Sequence, residues 1–76
     1  MAKRRVILTF TSETIADPII HTFGQQFNLI TNIRRANMTE DRGWIELDIK
    51  GKDKDIEDGI TWVTSKGVRV EPSTEI

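Results

Sequence analysis

From Trp44 to Lys50 the chain alternates without a break. Ile45, Leu47 and Ile49 fall on one parity, and Trp44, Glu46, Asp48 and Lys50 on the other. Period-two patterning of this kind describes a β-strand with one face in a core and the other polar. Such a strand cannot bury its apolar face alone, so the other segments must supply a second layer.

Three further segments read as strands. Arg5–Thr11 is rich in β-branched and aromatic residues, with Val6, Leu8 and Phe10 on one face and Arg5, Ile7, Thr9 and Thr11 on the other. Asn28–Met38 places Leu29, Thr31 and Ile33 on one parity and Ile30, Asn32, Arg34, Ala36 and Met38 on the other. Val68–Glu71 is the last, closed by Pro72. Thr39-Glu40-Asp41-Arg42-Gly43 is a polar turn between the second and third strands, with Gly43 available for a positive φ.

Two segments have helical spacing. Asp17-Pro18 reads as an N-cap followed by proline at the first helical position, leading into Ile19, Ile20, Phe23 and Phe27. A second helix beginning near Asp53 carries Ile56, Ile60 and Val63 inward and ends at Lys66 and Gly67. Trp62 lies off that stripe, at the edge of the core.

The order is β-α-β-β-α-β, the ferredoxin-like arrangement of the α+β class. It predicts a four-stranded antiparallel sheet with two helices on one face, strands one and three central and strands two and four at the edges. The uncovered face then carries Ile7, Thr9, Asn32, Arg34, Trp44, Glu46, Asp48 and Arg69.

With 76 residues there is room for a single domain over 1–76, its ordered part expected at about 4–72. So small a core favours pairing with a copy of the chain or with a larger protein. The net charge is −1 with acids and bases interspersed, which argues against a nucleic-acid binder. There is no cysteine, so this chain alone offers no disulfide, thiolate metal site, Cys-ligated cluster or Cys nucleophile. No apolar run approaches the roughly 18 residues of a membrane span, and no signal-peptide pattern opens the chain. A cytoplasmic protein without membrane insertion is the expectation.

The search for catalytic chemistry returns little. His21 is the only histidine, and it has no nucleophile beside it in the sequence, so a solvated helix residue explains it. Asp53, Asp55, Glu57 and Asp58 lack calcium-loop spacing and suit the first turn of a helix. Glu46 and Asp48 share one strand face, where cross-strand pairing with Arg34 and Lys50 is expected. No catalytic residue, metal ligand or cofactor is predicted. Arg34 and Arg35 are adjacent on an edge strand, where they either contact an anion or discourage unwanted sheet extension. Trp44 on the open face, with Ile7 beside it and Arg35 on the edge strand, marks an interaction surface.

The stretch Phe27-Asn28-Leu29-Ile30-Thr31-Asn32-Ile33-Arg34 resembles the signature of the NIL domain, named for an Asn-Ile-Leu motif. Leu8-Thr9-Phe10, Ala36-Asn37-Met38 and Gly67-Val68-Arg69-Val70-Glu71 extend the likeness over most of the chain. The resemblance implies an ACT-related ferredoxin-like fold. It also implies a bacterial regulatory domain of the kind that ends methionine-importer ATPases, binds methionine and associates in pairs; other such domains adjoin ferredoxin modules or stand alone. The motif asparagine carries over to Asn32. The third motif position is Arg34, and the hairpin loop is short. An arginine there either holds an amino-acid carboxylate through two hydrogen bonds or fills the pocket. Two functions follow as expectations. One is an amino-acid-binding regulatory homodimer using Asn32 and Arg34. The other is a ligand-free interaction module docking on a transporter, enzyme or ferredoxin partner.

Overall fold

The structure, a computed structural model, describes residues 1–11 and 18–73. Its elements are β1 (Ala2–Thr11), α1 (Ile19–Gln26), β2 (Ile30–Met38), β3 (Arg42–Gly51), α2 (Asp53–Ser65) and β4 (Arg69–Pro72). The four strands pair antiparallel in the order β2-β3-β1-β4, which is the predicted ferredoxin-like sheet.

The helix-side core is built from the expected parities. Val6, Leu8 and Phe10 of β1 and Ile45, Leu47 and Ile49 of β3 meet Ile19 and Phe23 of α1 and Ile56 and Val63 of α2. Trp62 and Phe27 pack at its edge with ring centroids 5.8 Å apart, and the Lys66 ammonium lies 5.5 Å from the Trp62 ring. Gly59 is buried where the helices approach, and a Cβ there would stand 2.6 Å from the Phe23 ring.

Both helices end in the same way. At α1, Leu29 N–H donates to Gly24 C=O (2.9 Å) and Asn28 N–H to Gln25 C=O (3.4 Å), with Asn28 at φ 55°. At α2, Val68 N–H donates to Val63 C=O and Gly67 N–H to Thr64 C=O, with Gly67 at φ 89°. These are paired Schellman closures, which need a left-handed residue after the cap. The same bonds turn each chain end back toward the sheet and so fix where β2 and β4 begin.

Three local expectations change. Pro18 is the N-cap of α1 rather than its first helical residue, and Asp17 lies outside the described residues. Gly43 is not a positive-φ turn residue; it is buried in β3 against Phe10 and Met38, and a Cβ would collide with the Met38 sulfur. The turn is closed instead by Thr39, whose N–H and Oγ1–H both donate to Arg42 C=O at 2.8 Å. Finally, the register of β2 slips between Ile33 and Arg35. Asn32 lies opposite Asp48 and Arg35 opposite Glu46, both on the open face, so parity reverses across Arg34. Ala36 and Met38 therefore stand on the helix side, opposite Ile45 and Gly43, and not on the open face as unbroken alternation predicts.

Truncating the core should be costly. Leu8→Ala, Phe23→Ala and Leu47→Ala should each destabilise by about 2–5 kcal/mol in urea melts. Gly59→Ala should also lower the midpoint, because crowding of the buried Phe23 ring, typically about 1–3 kcal/mol, outweighs the gain of about 1 kcal/mol in helix propensity.

Candidate functional site

The open face is organised around two carboxylates. Glu46 and Asp48 project from β3 on the side away from the helices, yet they are only 3% and 7% exposed. β3 is an inner strand, so side chains from β1 and β2 close over them. A carboxylate removed from water must be met by donors or positive charge. The flanking strands supply both.

Arg5 lies directly opposite Asp48. Its Nε donates to Oδ1 at 2.8 Å and its Nη2 to Oδ2 at 3.5 Å. Arg35 lies opposite Glu46 and makes the same fork, Nε to Oε1 at 3.1 Å and Nη2 to Oε2 at 3.4 Å. Ser73 Oγ donates to Glu46 Oε2 at 2.7 Å, and the Ser73 amide donates to the Arg5 carbonyl at 3.0 Å. The register slip gives Arg34 access to both acids: its Nη1 is 3.5 Å from Asp48 Oδ2 and its Nε 3.9 Å from Glu46 Oε1. Lys3 Nζ stands 3.9 Å from Asp48. Among the described residues no buried side-chain nitrogen or oxygen lacks a partner.

These contacts favour the ionised acids. The Ser73 hydroxyl, then the Arg35 fork, hold the Glu46 carboxyl below the ordinary glutamate range, against the opposing effect of burial. The Arg5 fork, with the charges of Arg5, Lys3 and Arg34, does the same for Asp48. Forked guanidinium–carboxylate pairs fix direction as well as distance, so the network also sets where each arginine points.

The predicted site residues fall into two groups on this face. Asn32 and Arg34 stand near the outer edge on β2; Asn32 is exposed and the Arg34 side chain is 42% exposed. Ile7, Arg35 and Trp44 gather with Thr9 around a shallow depression of about 390 Å³. There the Arg35 guanidinium lies 5.9 Å from the Trp44 ring centroid, and Trp44 is half-buried. Arg34 does lie beside the acid pair as expected, but the forks come from Arg5 and Arg35, and Lys50 makes no such contact. Arg5, Lys3 and Ser73 are the participants that the sequence did not single out. Arg5 was readable in principle, since pairing Val6 with Leu47 sets it opposite Asp48. Ser73 carried no such signal.

Elsewhere, His21 is exposed on α1, and Asp53 and Asp55 occupy the first turn of α2. No group of three or more His, Cys, Asp or Glu among the described residues could hold a metal ion. No helix among them is long and apolar enough to cross a membrane.

The acid pair predicts an acid-sensitive fold. Both carboxyls bind protons less readily when folded than when unfolded, so their stabilisation is present above the ordinary carboxylate range and is lost as pH falls through it toward the lowered native values. Urea midpoints should therefore hold near neutrality and drop between about pH 5 and pH 3. Glu46→Gln should flatten that drop; an unchanged slope would show that Glu46 contributes nothing to it.

Comparison with known proteins places this geometry. The C-terminal domain of an ABC transporter ATP-binding protein from Enterococcus faecalis superposes with a TM-score of 0.82 at 21% identity, covering 96% of this chain and 86% of that one. A hydantoinase/carbamoylase-family amidase from Burkholderia multivorans matches at TM-score 0.50 and 10% identity, over 97% of this chain and 27% of the amidase. A de novo designed protein, Ferredog-Diesel, matches at TM-score 0.46 and 16% identity, over 92% of this chain and 84% of the design. No curated protein matches. The family model of the NIL domain matches residues 4–72, nearly the whole chain, and the chain therefore belongs to the NIL domain family.

Proposed function

We propose that this chain is a non-catalytic regulatory domain that binds a small amino-acid-like molecule on the open face, beside β2, and works as a cytoplasmic homodimer. Membership of the NIL family supports regulation rather than catalysis. The likeness in fold to a domain attached to a transporter ATPase fits a module that acts on a larger partner.

The observation that carries the reading is the position of Arg34. Arg34 shares the open face with Asn32, two residues away at an exposed edge, and the slip in β2 sets it between the two acids. A guanidinium suits a carboxylate, and the Asn32 amide offers both a donor and an acceptor for the rest of an amino-acid backbone. Arg34 is bound only loosely by the acids, at 3.5 and 3.9 Å, while Arg5 and Arg35 hold the short forks. It can thus turn toward a ligand without stranding Glu46 or Asp48. A single copy leaves this edge open, whereas ligand sites usually enclose most of a ligand's surface. A second copy covering the edge would supply that enclosure.

Titration of the labelled protein with methionine and then other amino acids, followed by heteronuclear NMR, tests the reading. Shifts should centre on Asn32, Arg34 and the open face of β3. Asn32→Ala should leave the melting curve unchanged and weaken binding roughly tenfold or more, the expected loss of a hydrogen bond to a charged group. A spectrum unmoved by the whole panel at millimolar concentration would reject an amino-acid ligand.

A further inference from the structure

The open face is much more positive than the chain that bears it. Lys3, Arg5, Arg34 and Arg35 surround Glu46 and Asp48. Arg42, Lys50 and Arg69 stand on the same face by register, opposed only by Glu71, which pairs with Arg69 at 2.9 Å. Seven basic strand residues thus meet three acidic ones, a surplus of four positive charges, while the whole chain carries −1. The compensating acids lie elsewhere, notably Asp53, Asp55, Glu57 and Asp58 on the helix layer and Glu40 and Asp41 in the hairpin turn.

The apolar groups of this face lie inside the positive field. Ile7 and Trp44 occupy neighbouring inner strands, and Arg35 flanks the indole. An apolar, aromatic centre with arginines around it is the layout of a protein–protein interface. It does not suit single-stranded nucleic acid, which needs a row of open aromatic platforms. Trp44 is the one aromatic here, and a guanidinium already lies over it.

We propose that the open sheet face docks an acidic surface of another protein, with aspartates and glutamates of the partner meeting the arginine rim and an apolar partner side chain seated at Ile7 and Trp44. The register slip is what makes the rim dense, because it puts Arg34 and Arg35 on one face where alternation would separate them. Opposite charge steers the encounter and sets orientation, and the apolar centre holds the complex. This docking does not depend on a small ligand at Asn32.

Poly-L-glutamate serves as the probe, added to the labelled full chain at low salt, where exposed charges are weakly screened. Backbone shifts should map to Arg34, Arg35, Trp44 and Arg69 and fade as salt is raised. Arg34→Gln and Arg69→Gln should each weaken binding about 2- to 5-fold, the usual effect of removing one exposed charge pair. Asp48 keeps Arg5 and Lys3 in the first variant, so both should melt as the parent does. An amino-acid site would respond to Arg34→Gln but not to Arg69→Gln, which separates the two ideas. The proposal is overturned if poly-L-glutamate leaves the open face unmoved or shifts mainly the helices. Equal shifts with poly-L-lysine would overturn it as well. So would tighter binding of an oligothymidylate of matched charge, which would reassign the face to nucleic acid.

Discussion

Burial of two carboxylates on the central strand organises this domain. β3 is closed on its helix side by Ile45, Leu47 and Ile49 and on its other side by its own neighbours, so Glu46 and Asp48 lose water without a helix above them. A charge in that position demands compensation, and the compensation must come from adjacent strands at fixed register. Arg5 from β1, Arg35 from β2 and Ser73 from beyond β4 each answer it. The acid pair thus ties all parts of the sheet together on the face that the hydrophobic core does not reach. The helix side is held by apolar packing, which tolerates small displacements. The open side is held by directional bonds, which do not.

Much of this was legible in the residues. Alternation in β3 and β1 located the sheet, helical spacing located both helices, and their order specified the topology. The core parities of Val6, Leu8, Phe10, Ile45, Leu47 and Ile49 were readable because each strand has one clean apolar face. β2 was not, and the reason is physical. As an edge strand it buries little, so its side chains carry no strong parity, and nothing local announces the extra residue between Ile33 and Arg35. The reading of Gly43 failed for a related reason. Glycine marks either unusual φ or close approach, and only the packed neighbours, Met38 and Phe10, reveal which.

The candidate site was partly legible. Asn32, Arg34, Trp44 and Ile7 were placed on one face by parity and lie there, and Arg35, which parity puts on the other side, joins them through the slip in β2. What the sequence hid was the division of labour among the arginines. Arg5 and Arg35 hold the acids through short forks, and Arg34 is the loosely held member. That distinction depends on register, which a one-residue slip alters and composition does not record.

The slip in β2 has a consequence for the chain's behaviour at high concentration. A long, regular edge strand with exposed Ile30, Ile33 and Met38 would be a template for indefinite sheet growth between molecules. An irregular edge breaks the even ladder of amides and carbonyls that such growth requires. The irregularity that gathers the arginines therefore also makes the most exposed strand a poorer template for open-ended growth from copy to copy.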